Sequence, residues 1–297
     1  MTYKKKLFAV LLMCSFLIGM LGVSASAVSV SFEKRELSYF IGIKDKNTES
    51  YSSVSVLLSG KPINESAYLI NDTTYIPLRA AATLAGASVG FDPSTRTATV
   101  SMVGLDLIVA DGAFVVYANE RPIMSRTPAQ ILNDGRMYIP VRTLAKVLSL
   151  SVEWLPPRTV SLSGAVKPLS HANDYYRPDD LYWLSRIISA ESRGEPLLGQ
   201  IAVGNVVMNR VASRDYPNTI YGVIFDRKYG VQFSPIIDGS IYATPTYSSI
   251  QAAKICLEGV SVSEKILFFL EPTKANSAWI VYNRKYAFTV GNHYFFY

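Results

Sequence analysis

Histidine and cysteine are scarce in this chain, which has two of each among its 297 residues. His171 and His293 lie far apart, and neither has a second His, a Cys or a His-x-x-x-Glu partner at the spacing of zinc ligands. The sequence therefore argues against a zinc amidase or peptidase and predicts no metal site and no cofactor. No serine or cysteine stands in a recognisable nucleophile motif either, so neither is predicted to act as a nucleophile.

The two cysteines have simple interpretations. Cys14 lies in an apolar run, residues 7–23, between a basic start and the small-residue motif Ala25-Ser26-Ala27. This pattern is typical of a secretory signal peptide, so residues 1–27 are predicted to be removed, leaving no stable membrane span. A retained anchor is the alternative, because the run is near the lower length limit for a span. Cys256 would then be the one mature cysteine, without an internal disulfide, and its apolar surroundings predict a helix core residue.

The charge of the chain is modest. Three of the 29 basic residues lie in the signal segment, which leaves 26 against 23 acidic residues. Such a balance suits contact with an anionic cell wall, but the basic residues are scattered, so we predict no nucleic-acid binding. With 49% hydrophobic residues, the mature chain can bury sizeable cores, and its length suggests two domains.

Glu191 is the strongest catalytic candidate. It continues the apolar face of a predicted helix, whose other members recur at intervals of three and four residues: Leu181, Leu184, Ile187 and Ile188. Gly194 and Pro196 end this helix, so the carboxylate falls in the last turn, where the helix dipole is negative and the surroundings are apolar. Both effects disfavour the ionised form, as a general acid for glycosidic cleavage requires. The alternative is a surface residue or a local partner of Arg193.

Two other polar residues near this helix are tentative substrate contacts. Glu195 follows the break at Gly194, so it either orients substrate and tunes the acid or accepts a hydrogen bond in a turn. A second apolar helix, predicted over residues 198–211, carries Asn205 and Asn209 one turn apart. Buried amides must be hydrogen-bonded, and this favours bracing of the backbone near Glu191 over contact of Asn209 with a sugar.

Three residues nearer the C-terminus complete the set of candidate contacts. Gln232 stands beside Phe233 in a predicted loop, and an amide next to a ring is a common arrangement for holding an acetamido sugar. Bracing of the loop is the alternative. His293, in the motif Gly291-Asn292-His293, could hydrogen-bond near a cleft, but a structural role for this histidine is favoured.

Residues 181–297 resemble the catalytic domain of the SleB/CwlJ family of spore-cortex and cell-wall hydrolases. The resemblance rests on ordered motifs across the segment: Ile188-Ser189-Ala190-Glu191-Ser192-Arg193-Gly194-Glu195-Pro196, Gly199-Gln200-Ile201-Ala202-Val203, Val207-Met208-Asn209-Arg210-Val211, Tyr216-Pro217-Asn218-Thr219, Gln232-Phe233-Ser234-Pro235 and Gly291-Asn292-His293-Tyr294-Phe295. It implies a lysozyme-like domain that cuts peptidoglycan glycan strands, with Glu191 as the acid, in an exported protein of the wall or spore cortex that acts in germination or sporulation. Ser192 departs from the usual alanine, a swap of similar size.

The first half contains an internal repeat. The segment Asn71-Asp72-Thr73-Thr74-Tyr75-Ile76-Pro77-Leu78-Arg79 returns 63 residues later as Asn133-Asp134-Gly135-Arg136-Met137-Tyr138-Ile139-Pro140-Val141-Arg142. Each copy predicts a strand, a helix (78–84 and 141–148) and a strand-turn-strand unit. This half resembles the copper amine oxidase N-terminal-like stalk domain of exported wall proteins, and that resemblance implies no copper site. Residues 28–166 contain no His or Cys that could hold copper.

The predicted organisation is a signal peptide (1–27), a repeat-built α+β stalk (28–166), a linker (167–178) and a mainly helical lysozyme-like catalytic domain with a small β element (179–297). Asp179 or Asp180 is expected to cap the helix that leads to Glu191. The stalk is predicted either to bind the wall or to serve as a spacer.

The mechanism depends on whether a second carboxylate faces Glu191. A hydrolase needs such a partner, and Asp226 and Asp238 are available. The resemblance to lytic transglycosylases suggests a route in which Glu191 acts alone, first as acid and then as base. A wall-binding protein without catalysis is a further alternative.

Overall fold

The computed structural model describes residues 51–228, 230–273 and 279–297. Its N-terminal part consists mainly of β-sheets and its C-terminal part mainly of helices, which confirms the predicted mixture of helices and sheets in two regions. The predicted signal peptide with Cys14, and residues 28–50 of the predicted stalk, lie outside the described residues. Across the described ranges, no helix is long and apolar enough to cross a membrane.

The N-terminal part contains two sheets and two short helices. Its elements, in chain order, are β1 (Ser52–Leu58), β2 (Lys61–Pro62), β3 (Ala67–Ile70), β4 (Thr73–Pro77), α1 (Leu78–Leu84), β5 (Ser88–Asp92), β6 (Thr97–Met102), β7 (Leu105–Ala110), β8 (Val115–Ala118), β9 (Arg121–Met124), β10 (Gln130–Ile131), β11 (Met137–Pro140), α2 (Val141–Val147), β12 (Ser151–Leu155) and β13 (Thr159–Ser163). The larger sheet has the order β10-β11-β4-β3-β1-β13-β12, with β2 paired to β1, and β5 to β9 form an antiparallel meander.

Alternating side chains place the core of this part. In β7, Leu105, Leu107 and Val109 are buried while the residues between them face solvent, as the two-residue period of a half-buried strand requires. The two predicted repeat copies meet in the larger sheet. β4 and β11 pair antiparallel, and the equivalent residues Ile76 and Ile139 stand opposite each other, both fully buried.

Each of these two strands runs directly into its helix. Pro77 and Pro140 occupy the N-cap positions of α1 and α2, and β5–β6 and β12–β13 follow as antiparallel pairs. The helices and strand pairs lie where the sequence predicts them, with α2 ending one residue earlier than expected. That the domain is built from a repeat remains our interpretation of this equivalence.

The C-terminal part consists of helices with one small sheet. Its elements are α3 (Ala172–Tyr175), α4 (Pro178–Ser192), α5 (Leu197–Ala212), α6 (Ile220–Ile224), α7 (Pro235–Asp238), a 3₁₀ helix (Ser240–Tyr242), α8 (Tyr247–Leu257), β14 (Phe268–Leu270), α9 (Trp279–Asn283), β15 (Tyr286–Val290) and β16 (His293–Phe296). The three strands form an antiparallel sheet in the order β14-β16-β15.

Helices α4, α5 and α8 form the centre of the second core. Leu184, Ile187 and Ile188 of α4 are fully buried, so the predicted apolar face of this helix is confirmed. Helix α5 is buried on nearly all sides and extends one residue beyond its predicted range at each end. Cys256 is buried in α8, in the core position that was predicted.

The start of α4 differs from the prediction. The helix begins at Pro178, with Arg177 as the N-cap, so Asp179 and Asp180 lie in its first turn. Proline suits this first position because its φ is already helical and it has no N–H group to leave unbonded. The two carboxylates interact favourably with the helix dipole there, but neither is the cap.

The predicted linker is bonded to the N-terminal part. The backbone N–H groups of Lys167 and Leu169 donate to carbonyl groups at the end of α2 and just after it. Asn119 holds the segment from the other side. Its side-chain Nδ2 donates to the Leu169 carbonyl at 2.7 Å, and its backbone carbonyl accepts from the Ala172 N–H at 3.0 Å. This segment therefore follows the surface of the first part on its way to α4.

The hairpin of β8 and β9 reaches into the second core. Val115 belongs to the buried cluster around α4, α5 and α8, and Tyr117 and Met124 pack against that cluster. At the turn of the same hairpin, Arg121 forms a bidentate ion pair with Glu258, at 2.7 and 3.0 Å. Both side chains are nearly inaccessible, with 5% and 1% exposure. The stalk and the helical part are therefore packed together through a buried interface.

Candidate active site

Glu191 lies in the last turn of α4 and is half-buried. Ile187 and Ile188, one turn earlier, are fully buried, so the carboxylate emerges at the edge of the second core. The neighbouring Ser192, which replaces the alanine usual in the resembling family, donates its hydroxyl to the Ile188 carbonyl at 2.7 Å. The extra hydroxyl is thus bonded within its own helix.

A partly buried hydrogen bond holds α4 just before Glu191. The hydroxyl of Ser189, which is buried, accepts the N–H of Thr246 at 3.2 Å. Thr246 is the N-cap of α8, and its side-chain oxygen accepts the Ser249 N–H. The start of α8 is therefore attached to the end of α4 that carries Glu191. This contact could not be predicted from the sequence, because its two partners lie 57 residues apart.

Glu195 lies in the corner between α4 and α5. Its side chain is 6% exposed, and both carboxylate oxygens accept hydrogen bonds from Asn292, one from the backbone N–H at 2.9 Å and one from Nδ2 at 3.0 Å. Asn292 lies in the turn between β15 and β16. The structure thus places Glu195 against a turn, which was the alternative to its predicted substrate contact.

Asn205 and Asn209 brace a different segment from the predicted one. Asn205 donates to the Val260 carbonyl and accepts the Val262 N–H, each at 2.8 Å. Asn209 donates to the carbonyls of Ser263 and Ile266 at 2.8 and 2.9 Å. The expected bracing near Glu191 is therefore wrong, because the polar face of α5 is turned toward the loop that follows α8. Sugar binding by Asn209 would compete with these bonds.

Gln232 and Phe233 differ in their accessibility. Gln232 is partly exposed and donates to the Gly230 carbonyl at 3.0 Å, a bond that braces the loop. Phe233 is 2% exposed and lies in the second core, where Arg210 stands 5.3 Å from its ring centre. Because its ring is enclosed by protein, Phe233 shapes the loop that carries Gln232 rather than presenting a surface to a sugar. The role predicted for Gln232 stays a prediction.

His293 is buried on β16, with its ring beside Phe269 and Phe295. Its Nδ1 lies 3.7 Å from a carboxylate oxygen of Glu195. The histidine therefore belongs to the same buried cluster as Glu195 and the β15–β16 turn. This position agrees with the favoured structural role.

Asp226 follows α6 in an irregular segment, and Asp238 is the last residue of α7; these are the candidate second carboxylates. Each accepts the backbone N–H two residues further along, from Lys228 at 2.9 Å and from Ser240 at 2.8 Å. Hydrogen bonds from Ser240 hold the pKa of the exposed Asp238 carboxyl below its ordinary value. Both carboxylates have local structural functions that explain their presence without catalysis.

Burial shifts the pKa values of two side chains, Arg210 and Cys256. Burial lowers the pKa of Arg210, whose Nε donates to the Leu267 carbonyl at 2.8 Å. Burial raises the pKa of the Cys256 thiol, which is the opposite of what a reactive thiolate needs. In the ranges that the structure describes, no group of three or more His, Cys, Asp or Glu side chains could hold a metal ion.

Exposed aromatic rings lie on the surface beside α4. Trp183 contacts Tyr221, Phe225 and Tyr242 at ring-centre distances of 5.4, 5.0 and 6.3 Å. Tyr221 and Tyr242 are more than half exposed. This group was not predicted from the sequence, because its rings come from segments up to 59 residues apart.

Two family models match the chain. Residues 194–296 match the family described as Cell Wall Hydrolase, and residues 57–161 match the Copper amine oxidase N-terminal domain. Both resemblances noted from the sequence are thereby confirmed. The hydrolase match begins three residues after Glu191, so it does not test the assignment of the acid.

The particular relatives are spore cortex-lytic enzymes. The protein of that name from Bacillus cereus is 37% identical over 120 residues, which cover 40% of this chain and 45% of the relative. The one from Bacillus subtilis is 34% identical over 117 residues, or 39% and 37% of the two chains. The chain thus matches less than half the length of these curated relatives.

A solved structure is also similar in sequence. The catalytic domain of the germination-specific lytic transglycosylase SleB from Bacillus anthracis is 35% identical; the match covers 41% of this chain and 97% of that domain, with a TM-score of 0.38.

Proposed function

We propose that the C-terminal part of this protein cleaves the glycan strands of peptidoglycan, with Glu191 as the general acid. The observation that carries the proposal is the half-buried carboxylate at the end of a buried apolar helix, three residues before the region that matches the Cell Wall Hydrolase family. The exposed rings beside α4 add support, because aromatic surfaces suit the apolar faces of sugar rings. We further propose that the protein is exported and acts on spore cortex or cell wall.

The proposed reaction is a lytic transglycosylation between N-acetylmuramic acid and N-acetylglucosamine. Glu191 donates its proton to the glycosidic oxygen as the bond from that oxygen to C1 breaks. The resulting carboxylate then takes the proton of the C6 hydroxyl, and O6 bonds to C1 to give a 1,6-anhydro end. No water is consumed, and one carboxylate performs both transfers.

This route fits the structural functions of Asp226 and Asp238. A hydrolase would need a second carboxylate at a defined separation from Glu191, and each of these aspartates already holds its own turn. Simple hydrolysis with one of them remains the alternative mechanism. A protein that binds glycan without cutting it is the alternative function, and the half-buried acid at the helix end supports cleavage instead.

The first prediction concerns Glu191→Gln, which keeps the size of the side chain and removes its proton. Turbidity loss of purified cortex or wall should fall by roughly a hundredfold or more, since general acid catalysis contributes that much. Glu264→Gln, at an exposed glutamate of the same domain, is the matched control and should keep wild-type activity. Thermal unfolding and sedimentation with wall should be unchanged in both variants.

Mass spectrometry of the wild-type products completes this test. Anhydro ends should be roughly 18 mass units lighter than reducing ends and inert to borohydride, as a single acid-base carboxylate requires. Asp226→Asn and Asp238→Asn should each keep most activity. Reducible ends would replace the transglycosylase by a hydrolase, whereas an active Glu191→Gln variant would refute the assignment of the acid.

Wall attachment through the stalk stays a prediction, as does the spacer alternative. The contacts that the structure shows for the stalk are with the helical part of the same chain.

A further inference from the structure

The corner that follows the proposed acid is held by a buried carboxylate. Glu195 lies four positions after Glu191, and the Glu195 N–H donates back to the Ser192 carbonyl at 2.9 Å. The Glu195 carboxylate accepts two hydrogen bonds from Asn292, which is 97 residues away. A buried carboxylate that binds two donors in this way joins two distant segments firmly, because leaving either group unpaired would be costly.

The space around this carboxylate is closed. A Cβ atom added at Gly291 would lie 1.8 Å from Glu195 Oε2, and one added at Gly199 would lie 3.2 Å from the Glu195 Cβ. The side chain is thus enclosed between the first turn of α5 and the β15–β16 turn. A substrate group that bound these oxygens would compete with the hydrogen bonds from Asn292.

The backbone of the same corner is held from the other side. The Glu195 carbonyl accepts Gln200 Nε2 at 2.9 Å, and Gln200 Oε1 accepts the Ser249 hydroxyl at 2.8 Å. Gln200 and Ser249 are both buried. Ser249 belongs to the start of α8, which also holds Ser189 on α4 through Thr246.

We propose that Glu195 is a positioning residue for Glu191. Through Asn292 it fixes the corner of residues 192–196 to the small sheet, and this sets the direction in which the last turn of α4 presents the acid. The inference rests on the proposed function of Glu191. It replaces the predicted role of Glu195 as a substrate contact.

The pair of Glu195 and Asn292 allows a test by exchange. Asn292→Asp alone places two carboxylates face to face, so kcat on soluble glycan fragments should fall by roughly tenfold to a hundredfold, as small misplacements of a catalytic group do. Adding Glu195→Gln restores the pairing with donor and acceptor exchanged. The Glu195→Gln/Asn292→Asp double variant should therefore recover most of the lost kcat, with KM unchanged throughout.

Each outcome of this test separates positioning from binding. If Glu195 held substrate through its charge, Glu195→Gln would raise KM with little change in kcat, and the exchange would rescue nothing. A raised KM for Glu195→Gln, a double variant without rescue, or full activity of Asn292→Asp would each overturn the inference. Thermal unfolding of all variants shows that they are folded at the assay temperature. An active Glu191→Gln variant would instead refute the proposed function, whatever the exchange shows.

Discussion

Because Gly291 has no side chain, the β15–β16 turn can approach Glu195 closely. Gly291 has φ 56°, which favours glycine, and a Cβ there would overlap Glu195 Oε2. Gly239 also has a left-handed φ, of 80°, but a Cβ there would meet open space. Alanine substitution at Gly239 therefore measures the cost of backbone strain alone, whereas substitution at Gly291 adds the cost of displacing the Glu195 carboxylate.

We expect Gly291→Ala to lower the free energy of unfolding by about 2–4 kcal/mol, because it adds overpacking to the cost of left-handed backbone. Gly239→Ala should lower it by only about 1–2 kcal/mol, the strain alone. Urea unfolding followed by tryptophan fluorescence measures both. Equal losses in the two variants would mean that the turn moves away from Glu195 without cost.

Single residues differ in how far the sequence could place them. The buried face of α4 was predictable because its spacing is local, and so was the position of Glu191 at its end. The partner of Glu195 was not, since Asn292 lies 97 residues away. The burial of Phe233 was not predictable either, because a glutamine followed by a phenylalanine reads the same whether the ring is exposed or buried.

Among the elements, α5 shows how closely the helices of the second core approach one another. At Gly204, a Cβ would lie 2.7 Å from Cys256 Sγ in α8 and 2.8 Å from Ile188 Cδ1 in α4. The glycine costs about 1 kcal/mol of helix propensity relative to alanine. Its place at this crossing, where three helices meet, explains why it is nevertheless present.

Gly204→Ala should destabilise the protein by about 1–2 kcal/mol, because overpacking outweighs the gain in helix propensity. Cys256→Ala in the same background removes one of the two crowded atoms and should restore part of the loss. A thermodynamic cycle of the two single variants and the double variant measures this coupling. An unfolding free energy equal to or above wild type for Gly204→Ala would contradict the close crossing.

The elements were more predictable than their partners. The helix range 198–211 and the strand-helix-strand order of the first part follow from local periodicity and turn residues. The hydrogen-bond partners of Asn205 and Asn209 on α5 could not be predicted from local periodicity. An asparagine signals only that it needs a partner, and the loop of residues 260–266 that satisfies it packs there through tertiary contacts.

At the scale of the whole molecule, the Arg121–Glu258 pair joins the stalk to the helical part. The Tyr176 hydroxyl donates to Glu258 at 2.8 Å, Lys146 Nζ lies 3.6 Å away, and the Arg121 guanidinium stacks over Tyr175. The division into a sheet-rich N-terminal region and a helical C-terminal region was predicted, and the exact domain bounds stay a prediction. Their interface was not predicted, because Arg121 and Glu258 are 137 residues apart and look like ordinary surface charges.

Arg121→Met should lower the free energy of unfolding by about 3–5 kcal/mol, because Glu258 would keep a buried charge without its main partner. Arg96→Met is the matched control, since Arg96 pairs with Asp111 at 2.7 Å on the exposed surface. It should cost less than about 1 kcal/mol, as exposed pairs do. Denaturant unfolding of the full chain measures both, and a similar small loss in the two variants would show that the interface carries little of the stability.

This docked arrangement has a mechanical consequence. An enzyme domain on a flexible linker can move through a volume that is set by the length of the linker. Its effective concentration at the substrate depends on that volume. Here Val115 of the β8–β9 hairpin lies in the helical core and Tyr117 and Met124 pack against it, so this interface opposes independent motion of the two parts. If the stalk binds the wall, as predicted, the place where it is attached therefore also limits which glycosidic bonds the proposed acid Glu191 can reach.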